Sequence, residues 1–458
     1  MADGAAEDAD QVDALDPFRQ FFALEPDVLV LSVAMLVFSL AFQMTTRYVP
    51  EYMYTLGAGA GVVGLYGSLG NLISAVYPYP GGAVSDRVGS RVALTSFAVV
   101  TTLGFVVWAA APALPGFDVP VVAAGGLEVG GHVGAWVWVF LGLFLTQAWK
   151  SFGLGATFAI VKQSVDPGRL AMGFASTEIF RRVGFLLGPA IAASVLAFTE
   201  FQVGFQYVLL LAAGFAAVAT VAQHVLYDAS EDTVGDSFEG LETIRSDLRD
   251  LPETLRPLLV ADTLVRFANG MVYVFFVVVV TRYLEVGFRG FGVTLEPPAF
   301  FGVLLSVEMA VAILTKVPVS KLAERTGLKP VVALGFLVYA TFPVLLVTAP
   351  ADQWALVGLF AFSGLRFAGL PAHKALIVGP AERDAGGRVT GTYYLVRNTV
   401  VVPSAALGGL LYGGEWTRRL FGVTVAAGPE LAFGLASAVG LVGVAYFAVF
   451  GREFDAYA

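Results

Sequence analysis

The chain has 458 residues, 57% hydrophobic and only 14% charged, with 52 glycines and a mean hydropathy of +0.76. So much apolar surface exceeds what a soluble core can bury, which leaves a helical membrane protein. The absence of cysteine excludes disulfides and thiolate chemistry, three scattered histidines make no metal cluster, and a net charge of −9 disfavours nucleic acid.

Residues 1–26 read as an acidic tail without a basic-then-apolar signal peptide. A span needs about 20 apolar residues, and the apolar runs predict crossings over 27–49, 57–84, 91–112, 134–164, 170–198, 203–226, 257–283, 297–319, 329–349, 353–379, 387–413 and 429–450. The expected fold is therefore an all-α polytopic membrane protein with twelve spans in two six-helix bundles, 27–226 and 257–450. Residues 227–256 form the linker, and 451–458 a second tail. In the linker Phe238, Leu241, Ile244, Leu248, Leu251 and Leu255 recur every three or four positions, the pattern of a surface-lying amphipathic helix.

Lys and Arg outside the spans number fourteen on the side holding residues 82–91 and five on the other, which places both termini in the cytoplasm of a cell-membrane protein. Six lysines against 36 acids is the pattern of a surface adapted to high salt. The halves repeat one another weakly. Thr46-Arg47-Tyr48 ends the first span as Thr281-Arg282-Tyr283 ends the seventh, and Lys150-Ser-Phe-Gly153 aligns on Arg366-Phe-Ala-Gly369. Paired six-helix halves around a shared site are the architecture of alternating access.

Between the second and third spans lies Gly82-Ala-Val-Ser-Asp86-Arg87-Val-Gly89-Ser-Arg91, a tight turn in which Gly89 is suited to positive φ. This stretch resembles the G-x-x-x-D-[RK]-x-G-[RK]-[RK] signature of the major facilitator superfamily, with Ser90 departing from it. The resemblance implies a secondary transporter whose Asp86 and Arg87 latch the halves together on the cytoplasmic side. A degraded second copy carries Glu324, Arg325 and Gly327, with Ser320 where Gly82 stands. The segment Gly184-x-x-x-Gly188-Pro189 resembles the antiporter-type motif of superfamily exporters, though Ala192 and Ala193 replace expected glycines; small residues with a proline also serve close helix packing.

Lys150 and Arg366 fall near mid-membrane, where a charge must face the interior or a wet cavity. Lys150 lies one position off the family's usual register ahead of its G-x-G. With Gln147, Asn269, Arg397 and Asn398 they form the expected substrate cavity. Glu308 is isolated in the sequence, and an acid surrounded by hydrocarbon readily takes up a proton, so it is a coupling candidate with Glu178. Glu178–Arg182 and Asp262–Arg266 are each spaced i, i+4, which also suits plain structural pairing.

No nucleophile–base pair or metal constellation marks an enzyme. The expected function is proton-coupled efflux or antiport of a small organic solute by a monomer that uses no cofactor or metal. Midspan cations outnumber lone acids, favouring an anionic or amphiphilic solute, with protons or cations as coupling ion. An importer or facilitator of the same fold, or a transport-inactive membrane sensor, stays open.

Overall fold

The computed structural model describes residues 26–77, 84, 85, 87–124, 127–152, 170–227, 252–379, 386–414, 417–420 and 423–453. The first half holds α1 (Pro26–Thr45), α2 (Val49–Thr55), α3 (Ala60–Val76), α4 (Ser90–Ala110), α5 (Val137–Gln147), α6 (Leu170–Leu196) and α7 (Phe201–Leu226). The second holds α8 (Arg256–Val272, carried on by short turns to Tyr283), α9 (Pro297–Leu314), α10 (Lys316–Thr326), α11 (Leu328–Val347), α12 (Gln353–Gly364), α13 (Leu370–Val378), α14 (Gly386–Val401), α15 (Ser404–Gly413) and α16 (Pro429–Phe450). Among the described residues nine helical runs are long and apolar enough to cross a membrane. Ala60–Val76 and Val137–Lys150 are shorter apolar helices.

The surface is that of a chain solvated by lipid. Val218, Val221 and Val225 expose a continuous apolar stripe along α7. Several buried hydroxyls bond within their own helix, Ser32 donating to Val28 O at 2.7 Å and Thr220 to Ala216 O at 2.6 Å, which suits a medium without hydrogen-bond partners.

Packing repeats between the halves. α1 packs on α6 and α7, α4 on α7, and α3 on α5; correspondingly α8 packs on α15 and α16, α11 on α16, and α9 on α12. The halves meet through α3 on α15 and α6 on α9, which occupy equivalent places in the repeat. Small residues permit both contacts. A Cβ on Gly64 would lie 2.9 Å from Gly409 Cα, and one on Gly302 would lie 2.7 Å from Pro189 O.

Several expectations are corrected. The first span does not end at 49: a turn at Thr46–Tyr48 breaks it and α2 resumes, Pro50 fitting the first turn because it has no N–H to leave unpaired there. The eighth span restarts as α10 after a break at Thr315, and the tenth is interrupted by a 3-10 turn at Leu365–Phe367. Three antiparallel hairpins, unforeseen in an all-α reading, join helices: β1 (Phe117–Ala124) with β2 (Leu127–Val133), β3 (Phe288–Gly290) with β4 (Val293–Leu295), and β5 (Thr417–Leu420) with β6 (Val423–Ala426). They occupy the three longest connections on one side, and this is called the hairpin face; residues 87–91 mark the motif face. The foreseen linker helix and the tails lie outside the described residues, apart from residues 26, 252–256 and 451–453.

Gly89 and Gly327 adopt nearly one conformation, φ +82° with ψ 153° and φ +88° with ψ 169°, each just before the next helix. The degraded second signature thus keeps the turn of the first. In each half this turn is held by the chain at that half's last helix: Arg91 Nε donates to His224 O at 2.8 Å, and Lys329 N donates to Glu453 Oε2 at 2.8 Å.

Candidate solute site between the halves

A cavity of about 330 Å³ lies where α3 faces α8, α11, α14 and α15. Asn71, Arg266, Asn269, Tyr273, Tyr339, Arg366, Phe367, Arg397 and Asn398 supply its polar and aromatic wall, and Gly67, Gly270 and Ala405 complete the lining where the helices pack closely. None of these wall residues is an acid.

The acids stand behind the wall. Asp262 on α8 is fully buried and accepts from Arg266 Nε at 3.3 Å, Arg397 Nη1 at 3.1 Å and the Tyr393 hydroxyl at 3.1 Å, with His373 Nε2 at 3.3 Å. Arg266 also donates to the Tyr339 hydroxyl at 2.9 Å. Glu308 on α9 pairs with Arg366 Nη2 at 2.6 Å and accepts from the Ser363 hydroxyl at 2.5 Å. The Arg366 guanidinium sits among Phe367, Tyr339, Phe342 and Phe276, 4.7 to 5.9 Å from their ring centres, and its Nε and Nη1 are buried without a hydrogen-bond partner. Rings attract a cation through their negative faces, which offsets part of the desolvation.

Toward the hairpin face the halves are joined over the cavity. Arg282 Nε donates to both Glu51 carboxylate oxygens, at 2.8 and 3.0 Å, and the Thr281 hydroxyl donates to Glu51 Oε2 at 2.8 Å. Arg47 lies 4.2 Å from the ring centre of Tyr273, a wall residue of the other half. The two Thr-Arg-Tyr repeats therefore each place an arginine on the opposite half.

A profile of the Major Facilitator Superfamily matches residues 31–300. The chain belongs to this superfamily. It is similar to an uncharacterized MFS-type transporter of Methanocaldococcus jannaschii, 20% identical over 390 residues that cover 85% of this chain and 89% of the relative. It is also similar to an uncharacterized MFS-type transporter of Mycobacterium tuberculosis, 23% identical with 90% and 91% covered. In fold it is similar to the nucleoside transporter NupG as a D323A mutant (TM-score 0.70, 12% identity, 93% of this chain and 100% of that one). A POT family transporter in complex with 5-aminolevulinic acid is likewise similar (TM-score 0.67, 15% identity, 94% and 99%).

Within this superfamily fold the candidate residues separate. Asn269, Arg366, Arg397 and Asn398 come together in the cavity wall. Gln147 and Lys150 are not among its lining residues. Gln147 is buried at the end of α5, and Lys150 is exposed in a π turn at Ala148–Phe152. The aligned pair Lys150 and Arg366 thus each sit at a helix distortion, π at one and 3-10 at the other, but Lys150 is exposed and Arg366 is buried against a carboxylate. Glu308 is not isolated either. Sequence spacing hides its partner because Arg366 lies 58 residues away on another helix.

On α6, Gly184 and Gly188 let α1 approach closely, a Cβ at either meeting Ser39 Cβ at 2.5 Å or Gln43 Cβ at 2.8 Å, and the Pro189 carbonyl faces Gly302 across the halves. The side chain of Glu178, and all of Gly82 and Asp86, lie outside the described residues. Arg87, Glu324 and Arg325 are exposed at the motif face, and Gly327 and Gly89 form the turns. The sequence reading overlooks Glu51. Its signal was present: a single acid in an otherwise apolar helix, opposite the Thr-Arg-Tyr repeat.

Proposed function

We propose that this protein is a secondary transporter that moves a small organic solute, anionic or amphiphilic, across the cell membrane by alternating access, as a monomer with both termini in the cytoplasm. The observation that carries the reading is a polar cavity between two repeated halves, roofed at the hairpin face by the Glu51–Arg282 and Arg47–Tyr273 contacts. Rocking of the halves about the α3–α15 and α6–α9 seams exchanges this roof for contacts at the motif face, the latch expected of Asp86 and Arg87.

Proton-coupled antiport is the favoured mode. Glu308 is the coupling candidate because protonating it releases Arg366, whose guanidinium reaches the cavity wall. The Gly184–Gly188–Pro189 packing motif supports export. The test uses proteoliposomes with an imposed proton gradient and solutes taken from a ligand-stabilisation screen: uphill solute movement opposite to the proton flow is expected. Co-directional movement identifies an importer, gradient-independent equilibration a facilitator, and binding without any flux a sensor.

A further inference from the structure

The arginines at the cavity wall and the acids behind it differ in what a bound solute meets. The side chains of Arg266 and Arg397 are 23% and 16% exposed, whereas that of Asp262 is 0% exposed, so the positive ends of this cluster face the cavity and the negative end does not. Three wall arginines stand against two buried carboxylates, which leaves one positive charge uncompensated in the cluster when His373 is neutral. Asp262 divides one charge between two guanidinium groups. Arg266 commits Nε and Nη1 to Asp262 and Tyr339, with Nη2 uncommitted among the described residues. In a wall of low dielectric a residual cation acts far more strongly than in water.

The remaining wall chemistry narrows the body of the solute. Tyr273, Tyr339 and Phe367 offer ring surface, while Asn269 Oδ1 is buried without a partner, an acceptor that calls for a donor. At about 330 Å³ the cavity sits at the small end of ligand pockets.

We propose that this cavity is a binding site for a small organic anion: a carboxylate or comparable planar oxyanion on a single-ring body, its charge taken by Arg266 and Arg397 and its ring lying against Tyr273 and Tyr339. Arg266, which spacing alone reads as a helix-internal partner of Asp262, becomes a specificity-determining residue. This deepens the transport reading and rests on it for the cavity's role. Guanidinium groups suit the acid because they stay charged while bonded to Asp262, and Arg266 Nη2 is the donor that one carboxylate oxygen meets, with Arg397 adding its charge from beside Asn398.

The experiment measures thermal stabilisation of the purified full-length protein, at low ionic strength so that charge effects are not screened. The probes are benzoate, phenylacetate and 3-phenylpropionate, each beside its amide and the amine of the same skeleton. At least one acid is expected to raise Tm with its amide and amine inert. Asn71→Asp, which adds a negative charge to the wall from the other half without breaking an ion pair of the cluster, should weaken that acid at least tenfold; Arg266→Gln should abolish its effect and Arg266→Lys restore part of it. Equal or better stabilisation by amides or amines, no response to any acid, or an Asn71→Asp protein that binds the acid unchanged would overturn the proposal. Failure of the transport reading gives a different result: the acid still binds, and no solute crosses sealed vesicles.

Discussion

Glu51 and Arg282 form an ion pair between the halves in which both carboxylate oxygens share Arg282 Nε, with the acid buried and the arginine partly open to the hairpin face. Thr281, one residue earlier in the same repeat, donates to the same carboxylate. A buried acceptor so supplied is a lock whose removal should be felt in the conformational equilibrium rather than in insertion.

Glu51→Gln is expected to cost the closed hairpin face about 1–3 kcal/mol, a population shift of roughly five- to 150-fold. The chain has no cysteine, so spin labels at Val119→Cys and Val293→Cys report directly on that face. Longer label distances in the Glu51→Gln background are expected; an unchanged distribution would show that the pair does not hold the roof.

Glu308 and Arg366 are both buried, with side chains 4% and 1% exposed. Glu308→Gln leaves a guanidinium without its counter-charge and should destabilise the protein by about 3–5 kcal/mol, whereas the double variant Glu308→Gln with Arg366→Gln should recover much of that loss. Thermal unfolding of the single and double variants measures the coupling, and simple additivity would sink it.

If Glu308 carries the proton, the pH dependence of flux should flatten in Glu308→Gln proteoliposomes while residual flux persists. A pH profile parallel to that of the unaltered protein would assign coupling elsewhere.

Gly64 and Gly409 meet backbone to backbone where α3 crosses α15. Gly64→Val should insert normally yet wedge this seam and reduce transport severalfold, since packed interfaces do not deform continuously. Retained flux, with the label pair still closing, would contradict the seam's role.

Gly89→Ala and Gly327→Ala each force a side chain into a positive-φ conformation that costs of order 1–3 kcal/mol. Both should lower Tm by similar amounts, because the two turns share one geometry despite their different sequences. A large loss at Gly89 with none at Gly327 would mean that the second turn has lost its structural function.

The sequence by itself determined the membrane class, the two repeated halves and the glycine turns. Long uncharged runs must become helices in lipid, and a glycine at a sharp turn is a local demand. It also brought out Asn269, Arg366, Arg397 and Asn398, since polar groups deep in apolar runs need an interior to face. The tertiary structure alone decided the partnerships. Glu308 with Arg366, Glu51 with Arg282, and Asp262 with Arg397 join residues 58, 231 and 135 positions apart. Helical periodicity reaches three or four residues along one helix and carries no information on which helix lies opposite. The helix breaks at Thr46–Tyr48 and Thr315, and the π turn that carries Lys150, are likewise visible only in the folded chain, because hydropathy records the apolar run and not where its helix is interrupted.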